Sequence, residues 1–79
     1  MNQIEQFIQE QIKSLVFKNV GVEDSLLKSR LMDSITVIDL AVSIEEKYDL
    51  KIPYTEINED NFDTIGQIIV FLKTKGVKV

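Results

Sequence analysis

The chain has 79 residues, a net charge of −4 and neither cysteine nor histidine. That length holds one domain, expected to span residues 1–79, with an economical core. The missing residue types exclude disulfides and intrinsic thiol chemistry, and remove the commonest general base and metal ligand. The cations are scattered and form no basic stripe, which argues against a nucleic-acid binder. With 44% hydrophobic residues the chain is apolar enough to fold.

The start, Met-Asn-Gln-Ile-Glu-Gln, lacks the basic end and apolar stretch of a signal peptide. The longest strictly apolar run, Ile68 to Leu72, is far too short to span a bilayer. The expectation is a cytoplasmic, free-standing monomer with no membrane association.

Ile4, Phe7, Ile8, Ile12, Leu15 and Val16 recur at three- and four-residue steps and predict a first helix. Asn2 suits its start, with Glu5 three positions on, and Asn19 and Gly21 suit its end. A long connection follows over Asn19 to Asp33, a length that is often functional. Leu26, Leu27 and Leu31 can anchor it to the core.

A second helix is predicted from Ser34 to Asp49, capped by Asp33 or Ser34. Pro53 closes the exit after Lys51 and Ile52. A short helical turn is expected over Asn58 to Phe62. A last helix should begin at Thr64, where Thr64 and Gln67 have capping-box spacing, and stop at Gly76. No alternating strand pattern competes. The fold class is all-α: a small bundle of three main helices plus one short one, with a long loop between helices 1 and 2.

The second helix carries two apolar stripes. With about 100° of turn per residue, Val37, Leu40, Ala41, Ile44 and Tyr48 gather on one side. Ile35, Ile38 and Val42 gather on the other, surrounded by Asp39, Glu45, Glu46 and Asp49. A helix on a small bundle buries one face, so the second stripe should be an exposed apolar strip rimmed with acids. Such strips often mark contact surfaces. Glu45, Glu46 and Asp49 also stand at the helix end where the dipole disfavours acids, with Lys47 and Lys51 partly offsetting them.

Ser34 stands where the long loop meets this helix. A serine there is usually a cap, and it is also where free backbone N–H groups favour a phosphate. The run Leu31-Met32-Asp33-Ser34-Ile35 resembles the attachment motif of acyl carrier proteins, in which an Asp-Ser-Leu triplet opens the second helix. The likeness continues without a gap through SITVIDLAVSIEEKYDLKIP (34–53) and INEDNFDTI (57–65). Two departures stand out. Leu31, preceded by Arg30, occupies a position where the family often has glycine, and Ile35 replaces the leucine of the triplet. A literal Asp24-Ser25-Leu26 also occurs, but no amphipathic helix follows it.

The resemblance implies a carrier and not an enzyme. Ser34 would receive 4′-phosphopantetheine from coenzyme A through a phosphopantetheinyl transferase, and Asp33 would help position the transferase's metal ion. The arm would hold an acyl or aminoacyl group as a thioester. Ile35, Ile38 and Val42 would form the contact strip, and Asp39, Glu45 and Glu46 would face basic docking surfaces. The partners would be an activating ligase and downstream enzymes of fatty acid, polyketide, nonribosomal peptide or D-alanyl pathways. The alternative is an unmodified helical interaction module using the same face of helix 2. An enzyme is disfavoured by the short chain and missing residue types. Glu59, Asp60 and Asp63 lack the pattern of a calcium loop and read as polar surface.

Overall fold

Spacing by four makes Ile4, Ile8 and Ile12 the buried ridge of the first helix, α1, Gln3–Val16. The computed structural model describes residues 3–78, so the expected cap at Asn2 lies outside the described residues. α1 stops three residues before Asn19. Phe17 takes the left-handed conformation (φ 61°) and its N–H donates to the Lys13 carbonyl over 2.8 Å. Such a cap is usually glycine; here it is an aromatic residue 85% exposed.

α2, Ser34–Tyr48, lies against α1 through Val37, Leu40, Ala41 and Ile44. Tyr48 is half-buried and meets the Phe7 ring edge-on, centroids 5.9 Å apart. The helix ends at Asp49, another left-handed residue (φ 54°). A 3-10 turn over Tyr54–Glu56, absent from the sequence expectation, then leads into α3, Glu59–Phe62. Asn58 caps α3 by accepting from the N–H groups of Asp60 and Asn61. α4, Ile65–Thr74, opens with the expected capping box: Thr64 accepts from the Gln67 N–H, and Gln67 Oε1 accepts from the Thr64 N–H. Gly76 (φ 89°) closes it, with the Gly76 and Val77 N–H groups returning to Lys73 and Leu72.

α4 packs on α1 and α3, and Ile8, Ile12, Leu26, Leu40, Ile44, Phe62, Ile65, Ile68 and Leu72 fill the shared core. Among the described residues there is no strand, and no helix is long and apolar enough to cross a membrane. The all-α bundle with a long first loop is the architecture expected from periodicity.

That loop is ordered by polar contacts. Gln9 Nε2 donates to the Val20 carbonyl, and Asp24 closes a turn with Gly21. Leu26 and Met32 are buried, and the Met32 N–H donates to the Leu26 carbonyl. The central tie is Asp63, read from sequence as polar surface but buried in the fold. Its Oδ1 accepts from Ser25 Oγ at 2.8 Å and from the Leu27 and Lys28 N–H groups at 2.9 Å each. Its carbonyl takes the Leu26 N–H. Burial pushes the Asp63 carboxyl up, yet the Lys28 N–H, Ser25 hydroxyl, Leu27 N–H and Lys28 charge together hold it below the usual aspartate value.

Candidate functional site

The buried loop residue Met32 and the buried α2 residue Val37 fix the ends of the segment that presents Ser34. Asp33 is the cap of α2: its Oδ1 accepts from the Thr36 N–H at 2.7 Å, and its carbonyl takes the Val37 N–H. Hydrogen bonding from the Thr36 backbone, then its side chain, holds the Asp33 carboxyl below its ordinary value. Asp33 therefore stays charged at neutral pH. Because Asp33 does the capping, Ser34 is left as the first helical residue. Its side chain is exposed, and its hydroxyl makes no hydrogen bond to a described residue.

The rival motif is consumed by the fold. Asp24 Oδ2 accepts from the Gly21 N–H, Ser25 bonds Asp63, and Leu26 is fully buried. Ser25 Oγ also accepts from the Ser29 N–H at 3.0 Å. Any chemistry on Ser25 would break this network.

Beside Ser34 lies an open groove of about 480 Å³. Leu27, Met32, Val37 and Ile57 make its apolar walls. Arg30, Asp33 and Glu59 bring charge to it. Sequence reasoning missed this groove because its walls come from three separate segments, the loop, α2 and the start of α3.

The second stripe of α2 is where periodicity put it. Ile35 is 71% exposed and Val42 42%, with Ile38 half-buried between them. Asp39 and Glu46 are exposed beside it. Glu45 differs: it is half-buried, and its Oε2 accepts from the Ile52 N–H at 2.7 Å. It fastens the exit of α2 as well as lying near the strip. Lys47, placed among these acids by sequence, has its ammonium 5.5 Å from the Phe7 ring centre. A shallow hollow bounded by Val42, Glu45, Glu46, Asp49, Leu50 and Lys51 closes the strip at its C-terminal end. Glu59, Asp60 and Asp63 form no metal centre, and among the described residues no acid cluster is arranged to hold one.

Residues 2–72 match the family described as "Phosphopantetheine attachment site". This chain belongs to that family. It is therefore a phosphopantetheine carrier, not an enzyme, and its cofactor is covalently attached 4′-phosphopantetheine. It is similar to a D-alanyl carrier protein of Lactobacillus delbrueckii subsp. bulgaricus, 26% identical over 72 residues, covering 84% of this chain and 90% of the relative. It is also similar to a D-alanyl carrier protein of Lactobacillus acidophilus, 29% identical over 48 residues and 61% of each chain. Carriers of this kind interact with transferases and ligases.

The residues suit the cofactor. An exposed hydroxyl on the first turn of a fifteen-residue helix offers an attachment point where backbone N–H groups and the dipole favour a phosphate. The adjoining groove is within the size range of small-molecule sites.

Proposed function

We propose that Ser34 is the attachment point and that the chain is an aminoacyl carrier of the D-alanyl type. The observation that supports the site most strongly is the contrast between two serines. Ser34 is exposed and unbonded to any described residue, whereas Ser25 is bonded to Asp63 and Ser29. The D-alanyl assignment follows the two relatives described above, both D-alanyl carrier proteins.

In this reading the Ser34 oxygen forms a bond to the β-phosphorus of coenzyme A, and adenosine 3′,5′-bisphosphate leaves. The serine proton passes to a base on the transferase. Asp33, ionised and exposed at the helix start, helps hold that enzyme's metal ion. The arm supplies the thiol this chain lacks and holds the cargo as a thioester. Tethering raises cargo concentration at successive partner sites. Ile35, Ile38 and Val42 meet the partner's apolar surface, while Asp39, Glu45 and Glu46 face its cations and hasten encounter. The whole of 1–79 acts as one cytoplasmic, monomeric domain.

Intact mass tests the site. After incubation with coenzyme A and a broad-specificity transferase, wild type and Ser25→Ala should gain one phosphopantetheine, and Ser34→Ala none. A modified Ser34→Ala protein would refute the assignment. Cargo is tested next, by presenting the holo protein to a D-alanine-activating ligase and to a fatty-acyl ligase. A mass gain of one alanyl group from the first only is expected, and loading by the second only would overturn the D-alanyl assignment.

A further inference from the structure

Arg30 is the single arginine in the chain. Its backbone is left-handed (φ 64°), a conformation that arginine adopts reluctantly. The turn around it is held firmly: the Arg30 N–H donates to the Leu27 carbonyl at 3.0 Å, and the Met32 N–H to the Leu26 carbonyl at 2.9 Å. Asp63 pins the N-terminal part of the same turn. An uncommon backbone is thus imposed by surrounding contacts, and it leaves Arg30 lining the groove shared with Asp33 and Ser34.

The charges there are unbalanced. Among the described residues Arg30 is the one cation lining the groove, against the carboxylates of Asp33 and Glu59. It forms no ion pair with any described residue. A phosphodiester on Ser34 adds a further negative charge beside the Asp33 carboxylate, which lines the same groove. A guanidinium offers two parallel N–H donors that match two phosphate oxygens, and it keeps its charge at every working pH.

We propose that Arg30 is a positioning residue that grips the phosphodiester joining the arm to Ser34 and sets the root of the arm at the mouth of the groove. This rests on Ser34 being the attachment point. Arg30 then restricts the first bonds of an otherwise free tether and offsets the repulsion from Asp33. The helix start supplies backbone donors, and Arg30 supplies the balancing charge.

The test compares apo and holo protein by NMR. Because the chain has one arginine, its side-chain Nε–Hε signal is unique. Attachment should move Hε downfield and slow its exchange with water. The ³¹P signal of the holo protein should shift between wild type and Arg30→Gln, and Arg30→Lys should lie between them. Raising the salt should weaken the Hε shift, since exposed ion pairs are screened. Intact mass is read on the same samples. Full modification at Ser34 with an unchanged Hε signal and identical ³¹P signals overturns the role of Arg30 while leaving the attachment site standing. Slower modification of Arg30→Gln with unchanged ³¹P signals also overturns it, and assigns Arg30 to the transferase contact instead. No modification at Ser34 removes both readings, and the mass spectrum shows which case applies.

Discussion

Ser25 Oγ donates to Asp63 Oδ1 over 2.8 Å and so joins two residues 38 positions apart. The same carboxylate oxygen gathers the Leu27 and Lys28 N–H groups. This closure holds the loop that delivers the chain to Ser34. Removing the Ser25 hydroxyl should therefore weaken the fold, by about 1.5–3 kcal/mol for a hydrogen bond to a charged group. Ser34→Ala removes an exposed hydroxyl and should change stability by less than about 0.5 kcal/mol. Urea denaturation of both variants checks the contrast, and equal losses would contradict it.

Asp63 should also make the fold sensitive to acid. Its folded carboxyl titrates below the ordinary aspartate value of about 3.9, despite the upward push of burial. The folded state thus binds fewer protons than the unfolded state in that range, and stability rises with pH there. The contribution is fully present above the unfolded value and disappears as pH falls through the folded one. Asp63→Asn should be less stable than wild type by a constant amount from about pH 7 to 5, with the gap narrowing below about pH 4. Urea midpoints across this range give the answer. A gap undiminished at the acid end would mean that shape, rather than charge, makes Asp63 valuable.

Periodicity and caps are local, and they were legible. The Thr64–Gln67 box, a cap of α2 at Asp33 or Ser34, of which the fold uses Asp33, and both stripes of α2 follow from residues within one or two turns of each other. Asp63 was not legible, because its partners lie far away across the loop and nothing in Asn-Phe-Asp-Thr marks the carboxylate as buried. The clue available was an aspartate just before a strong helix start, a place where a side chain can face inward. Arg30, Phe17 and Asp49 escaped for a related reason. Left-handed backbone is usually marked by glycine, and here ordinary residues are held there by neighbouring contacts. The end of α1 was consequently placed at Asn19 and Gly21, beyond its true stop.

Phe17 offers a direct test of that last point. Its ring is 85% exposed, so little packing is lost on its removal. A left-handed conformation costs an L-residue about 1–2 kcal/mol, and glycine escapes this at an entropic cost of about 0.5–1 kcal/mol. Phe17→Gly should therefore stabilise the protein by about 0.5–1 kcal/mol. Phe17→Ala keeps the Cβ and should bring no such gain. Thermal melts of the pair separate the backbone effect from the loss of an exposed ring, and a gain for alanine equal to that for glycine would refute the cap explanation.

Glu45 and Glu46 are neighbours with the same charge, and they should fail in different ways. Glu45 Oε2 accepts from the Ile52 N–H at 2.7 Å and so ties α2 to the segment leading into the 3-10 turn. Glu45→Ala should lower stability by about 1.5–3 kcal/mol through the loss of this charged acceptor. Glu46 is exposed and its carboxylate bonds no other described residue, so Glu46→Ala should unfold like wild type. Its effect should appear when a cognate ligase loads the holo protein, as a slower encounter that converges on wild type at high salt. Ile35→Asp completes the comparison. With Ile35 71% exposed, the substitution should be tolerated by the fold. It would place a charge at the centre of an apolar contact, and desolvating that charge should reduce kcat/KM for loading by about tenfold or more at every salt concentration. Normal loading of Ile35→Asp would remove the strip from the docking surface, whereas a loss at all salt concentrations, beside a salt-sensitive loss in Glu46→Ala, would separate its apolar contact from its electrostatic rim.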